Sequence, residues 1–214
     1  MILMQSVQDF ITEELTNSLK IFSPKHFFQE ILTYAVCPPG KLFRPMLAWG
    51  LASDLARHPL SPQDLRTTQY QDILTFALTL EFHHAYSLVH DDLPSMDNDR
   101  YRRGKLATHA QHGEWQAILA GDGLLNLSYY CLSKIKSPNQ QTLLALMGHG
   151  LGPKGLVLGQ VMDLAMNLTI NSAKEMTNNA EAILKIHELK TARLFQVALA
   201  GSFLLMSKIP QNIW

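Results

Sequence analysis

Charge and cysteine are scarce in this sequence, and each scarcity limits what the protein can do. Charged residues make up 17% of the 214 residues, and 18 Lys and Arg balance 18 Asp and Glu. No global field therefore attracts nucleic acid or an anionic membrane, so an anionic ligand has to be held by local basic clusters. The two cysteines, Cys37 and Cys131, lie in no metal-ligand spacing, and we interpret them as reduced buried thiols.

Export and membrane signals are lacking as well. The first twenty residues carry Asp9, Glu13 and Glu14 and show no basic leader before an apolar run, so they do not resemble a signal peptide. No uninterrupted apolar stretch reaches about 18 residues, so we expect no membrane span. With an apolar fraction of 47%, the composition predicts a packed protein of the cytoplasm.

Strand signals are also few, since alternating β-branched runs and Asn-Gly hairpin turns are absent. Apolar residues instead recur at three- and four-residue steps in the segments 69–92, 114–135 and 180–205, which predicts three long helices. Glycines between Gly148 and Gly159 indicate a joint between helices. We predict one all-α domain over residues 1–214, with about eight helices and a long loop from Leu93 to Gly113.

The strongest chemical signal is acidic. Asp91 and Asp92 end the first long helical segment, and Asp97 follows six positions after Asp91. Carboxylates this close repel each other unless a cation lies between them. Their hard oxygens suit Mg²⁺, which takes one or two protein carboxylates and fills its other positions with water and phosphate oxygens. A solvated acidic helix end shows the same pattern, and the acidic residues alone do not separate the two interpretations.

Basic residues accompany this cluster in three places. Arg102-Arg103-Gly104 follows it directly, and Gly40-Lys41-x-x-Arg44-Pro45 lies at a predicted helix start, where backbone N–H groups also favour anions. Arginine side chains match phosphate oxygens in bidentate geometry. Lys190-Thr191 interrupts an otherwise apolar helix. Each motif alone is typical of a solvated face, whereas the ordered set favours binding of phosphorylated ligands.

In order and spacing, these motifs resemble the trans-prenyl diphosphate synthases, in particular the bacterial farnesyl diphosphate synthases. The resemblance extends from about Gly40 to Gly201 and is carried by Gly40-Lys41-Leu42-Phe43-Arg44-Pro45, His84 to Asp97, Arg102-Arg103-Gly104, Gly121-Asp122, Gly159-Gln160-Val161-Met162-Asp163 and Lys190-Thr191. It implies an isoprenoid-synthase-like helical bundle around a central cavity. It also implies a Mg²⁺-dependent prenyltransferase that condenses isopentenyl diphosphate with dimethylallyl or geranyl diphosphate to give farnesyl diphosphate, working as a homodimer.

The resemblance assigns a role to each motif. The residues that would hold Mg²⁺ against the allylic diphosphate are Asp91, Asp92 and Asp97. The residues that would line the reaction centre are Lys190, Thr191 and Gln160. The residues that would bind the substrate diphosphates are Gly40, Lys41, Arg44, His84 and Arg103 for isopentenyl diphosphate, and Arg102 for the allylic one.

Product length is implied by Tyr86 and Ser87. Tyr86 precedes Asp91 by five residues on the same helix, about 7.5 Å down the cavity wall. An aromatic side chain at this depth would stop chain growth early, and in the family it accompanies a fifteen-carbon product. Packing of Tyr86 in the core is compatible with this role, because a cavity floor is also core.

The sequence departs from the family after the Lys-Thr pair. Relatives carry a second aspartate-rich motif further along the chain, whereas the residues from Met206 to Trp214 include no acidic side chain. We therefore expect the C-terminal helices and the second metal-binding wall to be missing. The alternative function is then a truncated, catalytically impaired homologue that binds diphosphates or a partner subunit without turnover. Terpene cyclases share an aspartate-rich motif but lack both basic motifs, so they fit less well.

Overall fold

The computed structural model describes residues 2–23, 25–170 and 180–207 and confirms the all-α class. Part of the acid-free segment, residues 208–214, lies outside the described residues. Two paired strands interrupt the helices, β1 (Tyr101–Arg102) and β2 (Lys105–Leu106). The helices of the described part are α1 (Ile2–Phe22), α2 (Phe27–Val36), α3 (Phe43–Ala56), α4 (Pro62–Leu65), α5 (Gln71–Asp91), α6 (Thr108–His112), α7 (Glu114–Ser133), α8 (Gln140–Leu151), α9 (Leu156–Ile170), α10 (Ala180–Ile186) and α11 (Arg193–Met206).

Helix α5 is the centre of the bundle and packs most extensively against α7. Small residues on α7 permit this close approach: Ala117 and Ala120 are fully buried, and a β-carbon on Gly121 would collide with the imidazole of His90. Phe76 and Phe82 of α5 are fully buried. Each such side chain contributes roughly 1.5–3 kcal/mol relative to an exposed one, so α5 is a rigid support for the residues at its C-terminal end.

Two apolar clusters lie around α5. The first joins α1 and α2 to one side of α5 through Ile11, Leu15 and Leu32, and the second joins α8 and α11 to the other side through Leu143 and Val197. The predicted joint between Gly148 and Gly159 is present, since α8 ends at Leu151 and α9 begins at Leu156.

The predicted loop from Leu93 to Gly113 contains a turn, the β1–β2 hairpin and α6. In the turn, the backbone N–H of Asp97 donates to the Asp91 carbonyl at 3.0 Å, which returns Asp97 to the end of α5. In the hairpin, Arg103 and Gly104 have φ of 53° and 78°, the left-handed backbone that a two-residue hairpin turn requires. This hairpin was not predicted, because its turn is Arg-Gly and not the Asn-Gly typical of hairpins.

The C-terminal helical stretch Ala180–Met206 is the one part of the described residues long and apolar enough to cross a membrane, by length and composition alone. In the structure it packs against α3, α5 and α8. It also carries Lys190, whose ammonium contacts three carboxylates. This packing is that of a helix in a globular bundle, and the absence of a membrane span stays a prediction.

Candidate active site

A cavity of about 290 Å³ lies at the C-terminal end of α5, between α5, α9 and α11. Predicted site residues in its wall are Arg44, His84, Tyr86, Ser87, Asp91, Gln160, Lys190 and Thr191. The apolar wall includes Met96, Leu156, Val161, Leu164 and Leu194. An apolar cavity with charged groups in its wall suits a ligand that has an anionic head and a hydrocarbon tail.

Lys190 is the centre of one group of charged side chains. Its ammonium Nζ lies 2.6 Å from Asp163 Oδ2, 3.5 Å from Asp91 Oδ1 and 3.6 Å from Asp97 Oδ2. Burial alone would lower the pKa of Lys190, but the hydrogen bond to Asp163 and the charges of Asp91 and Asp97 raise it. Three carboxylates around one ammonium leave an excess of negative charge, and a further cation would neutralise it.

Asp91 is held from two sides. Gln160 Nε2 donates a hydrogen bond to Asp91 Oδ1, and the Lys190 ammonium approaches the same oxygen. Burial raises the pKa of Asp91, Lys190 lowers it, and the neighbouring Asp97 raises it again, with a net upward shift. The carboxylate is therefore ready to accept a positive partner that would stabilise its charged form.

Asp92 faces a different partner from Asp91 and Asp97. Its side chain is 3% exposed, and Arg102 Nε donates to its two oxygens at 2.9 and 3.2 Å. Arg102 Nη2 also reaches Asp99 at 3.3 Å. Burial raises the pKa of Asp92, while the hydrogen bonds and charge of Arg102 lower it. Asp92 thus fixes Arg102, whereas Asp91 and Asp97 both face Lys190, and Asp91 lines the cavity.

The carboxylate oxygens at the end of α5 are possible ligands for Mg²⁺. Among the described residues no group of three or more His, Cys, Asp or Glu side chains is arranged to hold a metal. Mg²⁺ does not need three, because it usually binds through one or two carboxylates and completes its shell with water and phosphate. Asp91 and Asp97 supply such a pair, so the site fits Mg²⁺ bound together with a diphosphate.

A second basic group lies deeper along α5 and α3. Arg44 Cζ stacks 4.6 Å from the Phe195 ring centroid, and its buried Nε has no hydrogen-bond partner. Burial lowers the pKa of Arg44, and Glu81 acts against this change. An orphaned guanidinium N–H is a donor available to an anionic ligand.

Arg103 completes this group. A β-carbon on Gly40 would lie 3.0 Å from the Arg103 guanidinium, so glycine at position 40 lets the loop lie against it. Glu81, whose side chain is 3% exposed, lies 3.9 Å from Arg103. Burial, with the positive charges of Arg44 and Arg103, holds the pKa of His84 well below its usual value. At neutral pH the His84 ring is therefore neutral and adds no charge.

The remaining predicted residues are at the rim and floor. Lys41 is exposed where the loop enters α3. The Tyr86 ring packs edge-on to His83 and His90, at centroid distances of 4.9 and 5.4 Å. Ser87 Oγ donates to the His84 carbonyl at 2.8 Å, so it is bound to its own helix while lining the cavity.

Lys190 and Thr191 lie in a π-helical turn, His187–Ala192, that joins α10 to α11. Turns of this kind are rare in proteins, and those that do occur often lie at functional sites. Sequence reasoning gave no role to Asp163 or Glu81. Each was visible as a carboxylate on a mainly apolar helix, which is the signal that could have identified it.

The polyprenyl synthetase family model matches residues 25–213. The chain is 33% identical over 204 residues to a farnesyl diphosphate synthase of Micrococcus luteus, covering 93% of this chain and 62% of the relative. It is 29% identical to the farnesyl diphosphate synthase of Geobacillus stearothermophilus, covering 94% of this chain and 65% of the relative. The chain therefore spans less than two thirds of the length of these curated relatives.

Solved structures of prenyl-transferring enzymes are similar to this chain in fold. A geranyltransferase from Legionella pneumophila superposes with a TM-score of 0.77 at 31% identity, covering 98% of this chain and 70% of that one. The likeness confirms the predicted fold class and covers nearly the whole of this chain.

Proposed function

Because this chain belongs to the polyprenyl synthetase family, we propose that it acts as a Mg²⁺-dependent prenyltransferase. Its substrates would be isopentenyl diphosphate and an allylic diphosphate, dimethylallyl or geranyl, and its product farnesyl diphosphate. The observation that carries the proposal is the single cavity with Asp91, Gln160 and Lys190 at one point of its wall and Arg44 and His84 at another. One apolar space thus connects two places suited to two diphosphates.

The allylic diphosphate would lie beside Asp91, Asp97 and Lys190. Asp91 and Asp97 would hold Mg²⁺, which would neutralise charge on the leaving diphosphate. Lys190 adds a fixed positive charge on the same side, and Arg102, held by the buried Asp92, keeps its guanidinium near the end of α5. Fixed groups of this kind stabilise charge that develops as the bond to the leaving group breaks.

Isopentenyl diphosphate would lie beside Arg44 and Arg103. The unpartnered Nε of Arg44 supports this assignment, because a buried guanidinium donor without an acceptor is costly until an anion binds. His84 in its neutral form can donate or accept one hydrogen bond there without adding charge. Exposed Lys41 would close over the ligand from the loop before α3.

The reaction follows from this placement. The allylic C–O bond breaks, its electron pair leaves with the diphosphate, and the alkene of isopentenyl diphosphate attacks the resulting allylic cation. A proton then leaves the condensed carbocation, and the departed diphosphate would accept it. Leu156, Leu164 and Leu194 present no nucleophile to the cation and keep water away from that part of the wall.

The experiment that tests the proposal is a product assay. The chain is incubated with radiolabelled isopentenyl diphosphate, geranyl diphosphate and Mg²⁺, and we expect a fifteen-carbon diphosphate. Asp91→Ala should abolish it, whereas Asp9→Ala, an exposed aspartate on α1, should not. Absence of product would contradict turnover by this chain, and diphosphate binding measured by calorimetry would then show whether the binding-only alternative holds.

A further inference from the structure

Helix α9 lies directly against the backbone of the π-helical turn at Gly159. A β-carbon on Gly159 would clash with the backbone nitrogen of Lys190 and would lie 2.8 Å from the Leu189 carbonyl carbon and 2.8 Å from Lys190 Cα. These are backbone atoms, so they cannot rotate aside as the end of a flexible side chain can. Any side chain at position 159 would therefore push the turn away from α9.

One turn further along α9, Asp163 contacts the same lysine through its side chain. The Lys190 ammonium donates to Asp163 Oδ2 at 2.6 Å, about 1 Å closer than it lies to the oxygens of Asp91 and Asp97. A short hydrogen bond between charged groups is the strongest of the three contacts. Asp163 therefore keeps the ammonium on the α9 side of the cluster.

We propose that Gly159 and Asp163 are positioning residues for Lys190, holding its ammonium back so that Asp91 and Asp97 remain available to a divalent cation. Without Asp163, the ammonium would pair with Asp91 and Asp97 and compete with that cation for the same oxygens. With a larger residue than glycine at position 159, the whole turn would move away from α9, and Lys190 would lose its close contact with Asp163. Only the use of Asp91 and Asp97 by a cation rests on the proposed function.

The geometric half of the proposal is tested by crystal structures of the wild type and of Asp163→Asn, which adds no bulk. We expect the distance from Lys190 Nζ to Asp91 Oδ1 to shorten from 3.5 Å to about 2.8 Å. An ammonium that stays in place in the variant overturns the positioning role. This readout requires neither metal nor activity.

The functional half is tested with Mn²⁺ as the probe, in the presence of inorganic pyrophosphate, by electron paramagnetic resonance of free Mn²⁺. Asp163→Asn and Gly159→Ala should each weaken Mn²⁺ binding several-fold. Gly148→Ala, at a helical glycine with no atom within 4 Å of the added carbon, should leave it unchanged and is the matched control.

The double variant Asp163→Asn with Lys190→Met separates positioning from direct ligation. If Asp163 acts through Lys190, removing the ammonium should restore most of the Mn²⁺ affinity. Failure of this rescue would make Asp163 itself a ligand and overturn the proposal. A wild type that binds no Mn²⁺, but whose Asp163→Asn crystal shows the shortened distance, would refute the proposed function and leave the positioning role intact.

Discussion

Ionisable side chains lie buried next to each other on α5, upstream of the aspartate pair. Glu81 and His83 are 2% and 1% exposed, and His84 lies beside them. Burial raises the pKa of Glu81 and lowers that of both histidines. The middle of α5 therefore carries polar groups whose charge states depend on their surroundings, and this dependence should be visible in the stability of the protein.

His83 gives a pH-dependent stability that can be measured. Burial lowers its pKa from 6.5 to about 4, so between these values the unfolded chain binds more protons than the folded one. The stabilising contribution of neutral His83 to the free energy of unfolding is complete above the pKa of the unfolded chain. It is lost as pH falls toward the pKa of the folded protein, and the total loss is at most about 3 kcal/mol. When urea unfolding is measured at several pH values, the free energy of unfolding of His83→Gln should decrease less steeply with falling pH than that of the wild type.

The pKa of His84 is lowered as well, so His83→Gln should keep part of the dependence of the free energy of unfolding on pH. His58→Gln, at an exposed histidine, is the control and should reproduce the wild-type slope. An unchanged slope in His83→Gln would show that His83 is not kept neutral by burial.

Tyr86 gives a prediction about the product. Its ring lies against His83 and His90 and lines the cavity, so Tyr86→Ala should deepen the cavity and shift products beyond fifteen carbons. Chromatography of the dephosphorylated products checks this. Tyr130→Ala, at a ring that is 42% exposed on α7, should keep the wild-type distribution, and the same distribution in Tyr86→Ala would contradict the role.

The candidate site could be predicted from sequence where the chemistry lies within one motif. Asp91 and the Lys-Thr pair line one cavity, and Lys190 also contacts Asp97. The pairing of these aspartates could not be predicted: Asp92 binds Arg102, whereas Asp91 and Asp97 contact Lys190. That pairing depends on the turn after α5 and on contacts with α9, which are tertiary and leave no local pattern.

At the scale of elements, long amphipathic helices were predictable and short irregular pieces were not. The segments 69–92 and 114–135 correspond to α5 and α7 within a few residues. The hairpin was missed because Arg103 adopts a positive φ that its residue type does not signal. The π-helical turn within 180–205 was not predicted, because such turns are rare and this one lies inside an otherwise helical apolar pattern.

Packing of α11 on α5 gives a matched pair of glycine substitutions. A β-carbon on Gly201 would clash with the Phe76 ring and lie 3.1 Å from Leu143 Cδ2. Gly201→Ala should therefore destabilise the protein by roughly 1–3 kcal/mol through overpacking. Gly148→Ala, where the added carbon meets open space, should instead stabilise helix α8 by about 0.5–1 kcal/mol.

Chemical denaturation of both variants checks this pair. The two substitutions add the same atom to a helix, so any difference between them reports packing. A Gly201→Ala protein as stable as the wild type would mean that α11 can move away from α5 at little cost.

At the scale of the molecule, helix α7 shows an apolar face toward solvent. Trp115, Ile118 and Leu119 are 56%, 44% and 48% exposed, and their three- and four-residue spacing places them on one side of the helix. Further along α7, Leu124 and Leu132 are buried within the chain and do not belong to this exposed face. Exposed clusters of large apolar residues are typical of association sites.

We therefore propose a homodimer formed through this face of α7. Sedimentation velocity at micromolar concentration should show a dimer for the wild type and a monomer for Ile118→Glu, because two buried carboxylates at the interface would be costly to desolvate. Leu55→Glu, at a leucine that is 42% exposed on α3, is the control and should remain dimeric. A wild type that sediments as a monomer would refute the dimer, and a dimer that persists in Ile118→Glu would place the interface on another face.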